Sequence, residues 1–173
     1  PNLTHFTAYQ LEFGDTEKLF AQAFPNLEYL RLRSGSGFSN NWSWVEYFKS
    51  HPNLHKLLFQ GWYIGNPEEF FPNAKHLTTL ELDSGVLSLE HIKMIADEYT
   101  DLEELTLAGS VFWDIKDDDD MLLVLASGKF PKLRKLALGA TSRNPIFGPA
   151  QLKIISSICG NLTYFGLRTA TRE

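Results

Sequence analysis

The sequence predicts an α/β repeat solenoid: a curved arc of strand–helix units with a parallel sheet on its concave face and helices on its convex face. Three observations predict it. An apolar pattern L-x-x-L-x-L returns seven times along 173 residues, the apolar period changes to that of a helix between copies, and the copies are spaced by roughly one strand plus one helix.

The clearest copies are Pro25-Asn26-Leu27-Glu28-Tyr29-Leu30-Arg31-Leu32, Pro52-Asn53-Leu54-His55-Lys56-Leu57-Leu58-Phe59 and Pro131-Lys132-Leu133-Arg134-Lys135-Leu136-Ala137-Leu138. Lys75 to Leu82, Thr100 to Leu107, Asn161 to Leu167 and Asn2 to Ala8 keep the same apolar slots, with Phe or Ala sometimes replacing Leu. The first leucine falls at 3, 27, 54, 77, 102, 133 and 162, giving intervals of 24, 27, 23, 25, 31 and 29 residues.

Between copies, Leu89, Ile92, Ile95 and Ala96 share one helical face, and Ser88 stands where a side-chain oxygen can cap the first amides. Further helices are expected at Asp15 to Phe24, Ser43 to Ser50, Asp120 to Ala126 and Gln151 to Ile158, with Pro67 to Phe71 forming a turn or two. A lone strand–helix unit has nothing to cover its apolar side, so it is stable only when neighbours continue the core. Strands stack near 4.8 Å while a helix is about 10 Å across, so the helices must take the outer circumference.

These copies resemble the leucine-rich-repeat family over nearly the whole chain. Small residues three places after the last strand leucine (Gly35, Gly85, Ser110, Thr141, Ala170) resemble the long, helix-containing repeats of the ribonuclease-inhibitor-like group and of F-box proteins. Trp62 and the two longest intervals depart from that pattern. Repeat arrays need polar capping units, yet Leu3 and Leu167 belong to strands close to both ends, so one domain spanning 1–173 is expected to be a segment of a longer protein.

Composition narrows the function classes. Net charge is -5, which supplies no general positive field for a nucleic-acid backbone or an anionic membrane. No run reaches the ~18 uncharged apolar residues of a membrane span, and no signal-peptide pattern opens the chain. The single cysteine, Cys159, can form no internal disulfide, which favours an intracellular, reducing compartment. Three glycosylation patterns, at Asn2, Asn41 and Asn161, oppose this, but Asn2 and Asn161 occupy the same repeat slot and reflect the repeat itself.

Chemistry-bearing motifs are missing. Asp117-Asp118-Asp119-Asp120 lacks the glycine and terminal glutamate of a calcium loop and reads better as a helix start. His51 and His55 are separated by Pro52 and do not share a helical face, so no zinc set is expected. Cys159 reads as a packing thiol, Gly35-Ser36-Gly37 as a loop, and no phosphate-binding loop, dinucleotide fingerprint or nucleophile elbow occurs. The expectation is a non-enzyme without metal or cofactor.

Alternation in L-x-L strands sends the intervening residues to the open face. The outward set runs His5, Thr7, Tyr9; Tyr29, Arg31, Arg33; Lys56, Leu58, Gln60; Thr79, Glu81, Asp83; Glu104, Thr106, Ala108; Lys135, Ala137, Gly139; Tyr164, Gly166, Arg168. Its charge comes in blocks, basic in repeats two and three, acidic in four and five, basic again in six and seven. Two readings are open. The stripes, with Tyr9, Tyr29 and Leu58 beside Arg31 and Arg33, suit a protein or peptide partner; alternatively, exposed strand positions are simply polar and opposite charges pair across neighbouring strands. Trp42, Trp62, Tyr63 and Trp113 near turns could likewise bind or extend the core beside Trp44, Val45 and Phe48.

Resemblance to F-box proteins implies the substrate-recognition repeats of a ubiquitin ligase receptor, reaching a cullin-ligase adaptor through an N-terminal region that this chain lacks. The alternative is a structural or regulatory scaffold subunit of a larger assembly. A GTPase activator of the leucine-rich type is disfavoured because these repeats are irregular.

Overall fold

In the computed structural model, seven strands form one sheet whose spatial order is the chain order, every neighbouring pair parallel. The strands are β1 (His5–Tyr9), β2 (Tyr29–Arg33), β3 (Lys56–Gly61), β4 (Thr79–Ser84), β5 (Glu104–Ala108), β6 (Lys135–Gly139) and β7 (Tyr164–Arg168). Helices α1 (Trp44–Ser50), α2 (Pro67–Asn73), α3 (Leu89–Glu98), α4 (Asp118–Ser127) and α5 (Pro149–Ile158) connect successive strands from β2 onward. The structure describes residues 2–9, 24–33, 43–61, 64, 66–84, 87–108, 118–128, 130–139, 149–158 and 160–168, apart from the side chains of 84, 118, 119, 158, 167 and 168.

Strands β2 to β6 begin the same way. Leu27, Leu54, Leu77, Leu102 and Leu133 donate their backbone N–H to the carbonyl three residues earlier, at Phe24, His51, Ala74, Tyr99 and Phe130. The bond closes a four-residue turn, and proline suits its second position because its φ is already set there; hence Pro25, Pro52 and Pro131. Asn53 and Asn161, which follow in the turn, donate their side-chain amides to the carbonyls of Pro25 and Pro131 one repeat back, at 2.7 and 2.9 Å. At every boundary one carbonyl then accepts two consecutive N–H groups of the next repeat: Thr4, Glu28, His55, Thr78, Glu103 and Arg134 serve in turn. This fixed entry sets the register, so equivalent repeat slots lie side by side across all seven strands.

Register matters because a one-residue slip would turn every leucine outward. Leu30, Leu57, Leu80, Leu105 and Leu136 make one inward row, and Leu32, Phe59, Leu82, Leu107 and Leu138 a second; each is at most 1% exposed. With the helices they form one continuous core. The helices therefore cover the leucine side of the sheet, and successive helices pack on each other.

The helix faces follow from i, i+3, i+4 spacing. On α1 the buried residues are Trp44, Tyr47 and Phe48; Tyr47 takes the inward place expected of Val45, which is half-buried. Trp44 donates its indole N–H to the Ile64 carbonyl at 2.8 Å, and Phe70 packs edge-on to it at 4.8 Å. Glu69 of α2 crosses to the start of α1, accepting from Ser43 Oγ at 2.9 Å and the Trp44 N–H at 3.0 Å. One helix thus supplies the anionic cap of its neighbour.

Helix α3 buries Ile92, Ile95 and Ala96 as expected, plus His91, while Leu89 is only half-buried. Ser88 caps it, accepting from the His91 N–H, and His91 Nδ1 accepts the Ser88 N–H in return. Helix α4 starts at Asp118, within the acidic run, where negative charge opposes the positive end of the helix dipole. Pro149 opens α5 two residues before the expected start, a position where its missing N–H costs nothing.

The long intervals leave the sheet intact. The pairing β5–β6 spans the 31-residue interval and β6–β7 the 29-residue one, with the slots still aligned. The expected helix at 15–24, Asn41, Trp42, Trp62, Tyr63, Trp113, Asp117, Cys159, the 35–37 loop, and Gly85, Ser110, Thr141 and Ala170 lie outside the described residues; Phe24 alone of that helix is described.

Candidate functional site

Helices occupy one side of the sheet, and the alternate strand residues form its other side in three rows that the register aligns. The first row is His5, Tyr29, Lys56, Thr79, Glu104, Lys135, Tyr164; the second is Thr7, Arg31, Leu58, Glu81, Thr106, Ala137, Gly166. The third is Tyr9, Arg33, Gln60, Asp83 and Ala108, with Gly139 and Arg168 paired further along. Every predicted site residue is therefore on one face: Tyr9, Tyr29, Arg31, Arg33, Lys56, Leu58, Glu81, Asp83, Glu104 and Lys135 by position and side chain, Arg168 by backbone register alone.

The two ends of this face differ. On β5 and β6 the outward residues are small and shielded: Thr106, Ala108, Ala137 and Gly139 are buried. Charges there neutralise one another, since Lys135 Nζ lies 3.1 Å from Glu104 Oε2 and 5.8 Å from the centroid of the Tyr164 ring. Tyr164 itself is half-exposed and folds back along its strand, so that a Cβ on Gly166 would sit 2.7 Å from its hydroxyl. Here the pairing of neighbouring charges accounts for the surface.

On β1 to β3 it does not. Among the described residues no carboxylate lies within ion-pair distance of Arg31, Arg33 or Lys56. Their in-register neighbours explain why. Arg31 stands between Thr7 and Leu58, Arg33 between Tyr9 and Gln60, and Lys56 between Tyr29 and Thr79. The Nε of Arg31 is buried without a hydrogen-bond partner, so part of that guanidinium has left water and gained nothing in exchange. Around these cations, Tyr9 is 57% exposed and His5 stacks on Tyr29 with ring centroids 5.5 Å apart. The sequence singled out these residues but not that the three cations pair with no carboxylate among the described residues.

Elsewhere the titratable groups are structural. His51 is fully buried in the turn slot that holds Phe24, Ala74, Tyr99 and Phe130 in other repeats. It donates Nδ1–H to the Tyr47 carbonyl at 2.8 Å and stacks on the Tyr47 ring, and burial pushes its pKa below the ordinary value. His91 spends Nδ1 on the α3 cap and stacks on Phe71. Tyr99, fully buried, donates its hydroxyl to the Phe71 carbonyl at 2.9 Å, and burial, with Glu98 second, holds its pKa well above the usual phenol value.

Among the described residues no group of three His, Cys, Asp or Glu could hold a metal ion, and no helix is long and apolar enough to cross a membrane. Searches of family models, of curated proteins and of solved structures found no match for this chain, so the reading of its function rests on the sheet face itself.

Proposed function

We propose that the chain is a leucine-rich-repeat solenoid of the ribonuclease-inhibitor-like type, curved with its sheet on the concave side, and that it works as a non-catalytic protein-docking module through the open sheet face. The observation that carries this reading is the set of three cations on β2 and β3 that no carboxylate among the described residues pairs with, beside the exposed Tyr9 and the half-buried Tyr29. Tyrosine and arginine dominate the energetics of protein interfaces, and an unneutralised guanidinium next to an aromatic ring gains most when a partner completes its bonding.

Within that reading, the repeats serve as the substrate-recognition part of an F-box-type ubiquitin ligase receptor, with a cullin-ligase adaptor held by sequence outside this chain. The alternative role is a scaffold subunit of a fixed assembly. The test is affinity purification of the full-length protein from its source cells, in wild-type form and with substitutions on either side of the sheet. Partners lost on Arg31→Glu and Arg33→Glu, but kept on Lys93→Glu and Lys153→Glu of the helix side, support docking through the open face. Adaptor and cullin subunits among the recovered proteins support the receptor role. A stoichiometric complex without them sinks that role, and partners that depend only on the helix side overturn the docking reading.

A further inference from the structure

Resting on that reading, the geometry points to a particular occupant for one end of the face: we propose that β1–β3 bind a short acidic peptide segment of the partner, with its carboxylates on Arg31, Arg33 and Lys56 and its apolar groups on Tyr9 and Tyr29.

Dimensions come first. Tyr29, Arg31 and Arg33 lie along one strand at alternate positions, which spans roughly 13 Å, and β1 to β3 adds about 10 Å across. That area accommodates three to four residues of extended chain at about 3.3 Å each. Three formal positive charges fall within it, and none is matched by a carboxylate of the described chain. A guanidinium is a planar fork suited to carboxylate, and two of the three cations are arginines.

The neighbouring strand β4 offers the opposite sign, with Glu81 and Asp83 on the same face. Its third outward residue is Thr79, so β4 lacks the aromatic surface that anchors a peptide. An acidic segment seated on β1–β3 would also be held off β4 by like charge, which fixes its position across the strands. At the far end, Lys135 is already neutralised by Glu104 and adds no competing site.

A protein segment is favoured over nucleic acid by the balance of the whole chain. Net charge is -5, so an extended polyanion would meet net repulsion from the chain beyond the patch, whereas a few carboxylates touch the patch alone. Screening at physiological salt, with a Debye length of about 8 Å, confines the favourable contact to that same scale.

The test uses four fluorescein-labelled decapeptides built on alternating Tyr/Ser spacers and carrying glutamate, phosphoserine, lysine or serine, titrated against the full chain by fluorescence anisotropy at two salt concentrations. A twenty-nucleotide single strand serves as a fifth probe. The glutamate peptide is expected to bind, to weaken at least tenfold with Arg31→Ala/Arg33→Ala, and to weaken as salt rises. Leu58→Glu places a carboxylate in register beside Arg31 without removing a cation, and it is expected to weaken binding similarly. Glu81→Gln/Asp83→Asn is expected to leave binding unchanged or strengthen it. Thermal melting of each variant checks that the fold is kept.

Preference for phosphoserine over glutamate would keep the patch and move the natural ligand to a phosphorylated segment. Equal binding of the lysine peptide, tighter binding of the oligonucleotide, or no binding by the glutamate and phosphoserine peptides overturns the proposal. A partner from the cell-based test that is lost on Glu81→Lys but not on Arg31→Glu would overturn this proposal while leaving open-face docking in place.

Discussion

His51→Phe should uncouple part of the chain's stability from pH. His51 is fully buried, Nδ1 donates to the Tyr47 carbonyl, and Nε2 has no hydrogen-bond partner. Burial lowers its pKa from the ordinary 6.5, outweighing the backbone bond that raises it. As pH falls, the unfolded chain therefore takes up this proton before the folded one. The stability it contributes is whole above about 6.5 and is lost as pH falls from there through the folded value. For one proton the slope is at most about 1.4 kcal/mol per pH unit. Phenylalanine occupies the same turn slot at Phe24 and Phe130, so the replacement suits the repeat. At pH 7.5 the variant loses one hydrogen bond, about 0.5–1.5 kcal/mol, and removes an unsatisfied buried nitrogen, about 1–3 kcal/mol, so it should match or exceed wild type. The Tyr47 carbonyl keeps the His51 backbone N–H at 3.1 Å, so nothing new is orphaned. Urea unfolding at half-unit steps from pH 7.5 to 5.0 measures the effect. Wild type should fall away from the variant below about 6.5. Parallel curves for the two proteins would refute the argument.

Three further outcomes test the packing. Gly128→Ala should destabilise by about 1–3 kcal/mol in urea unfolding, because its Cβ would lie 2.8 Å from the Ala96 carbonyl oxygen and 2.7 Å from the Phe130 ring. Tyr99→Phe should cost about 1 kcal/mol by the same measurement, since it removes the hydroxyl that reaches Phe71 across 28 residues of sequence. Glu69→Ala should cost about 0.5–2 kcal/mol and speed amide exchange at Trp44, whose N–H it leaves without that acceptor.

Much of the fold was legible because repeat slots are local. The L-x-L alternation assigns inward and outward residues from neighbouring positions alone, and every strand from β1 to β7 starts two residues after the first leucine of its copy. The Ser88 cap was legible for the same reason, since donor and acceptor lie three residues apart. What escaped has two origins, one local and one about 25 residues away. Tyr47 rather than Val45 faces inward because it stands three residues after Trp44 and four before His51, on whose rings it packs, a helical spacing that Val45 does not share. Glu69 reads as one acidic residue at a helix start, yet its carboxylate caps the preceding helix. His51, Ala74, Tyr99 and Phe130 look unrelated as residue types, yet each stands three residues before the first leucine of its copy and accepts the same turn hydrogen bond.

The open face shows the same division at the level of charge. Block charge along the sequence suggested alternate basic and acidic stripes, but block charge does not decide which groups neutralise one another. On a parallel sheet a side chain meets chiefly the same slot of the adjoining repeats. Glu104 and Lys135 share the first slot of adjacent strands and pair at 3.1 Å. Arg31 and Glu81 share the second slot but are separated by the strand that carries Leu58, so their opposite signs do not bring them together. Similarly, Gln60 separates Arg33 from Asp83 in the third slot. The uncharged Leu58 and Gln60 of β3 thus stand between the arginines of β2 and the acidic pair of β4, so that none of the described carboxylates pairs with Arg31 or Arg33, and a single acidic residue at Leu58 would place one beside Arg31.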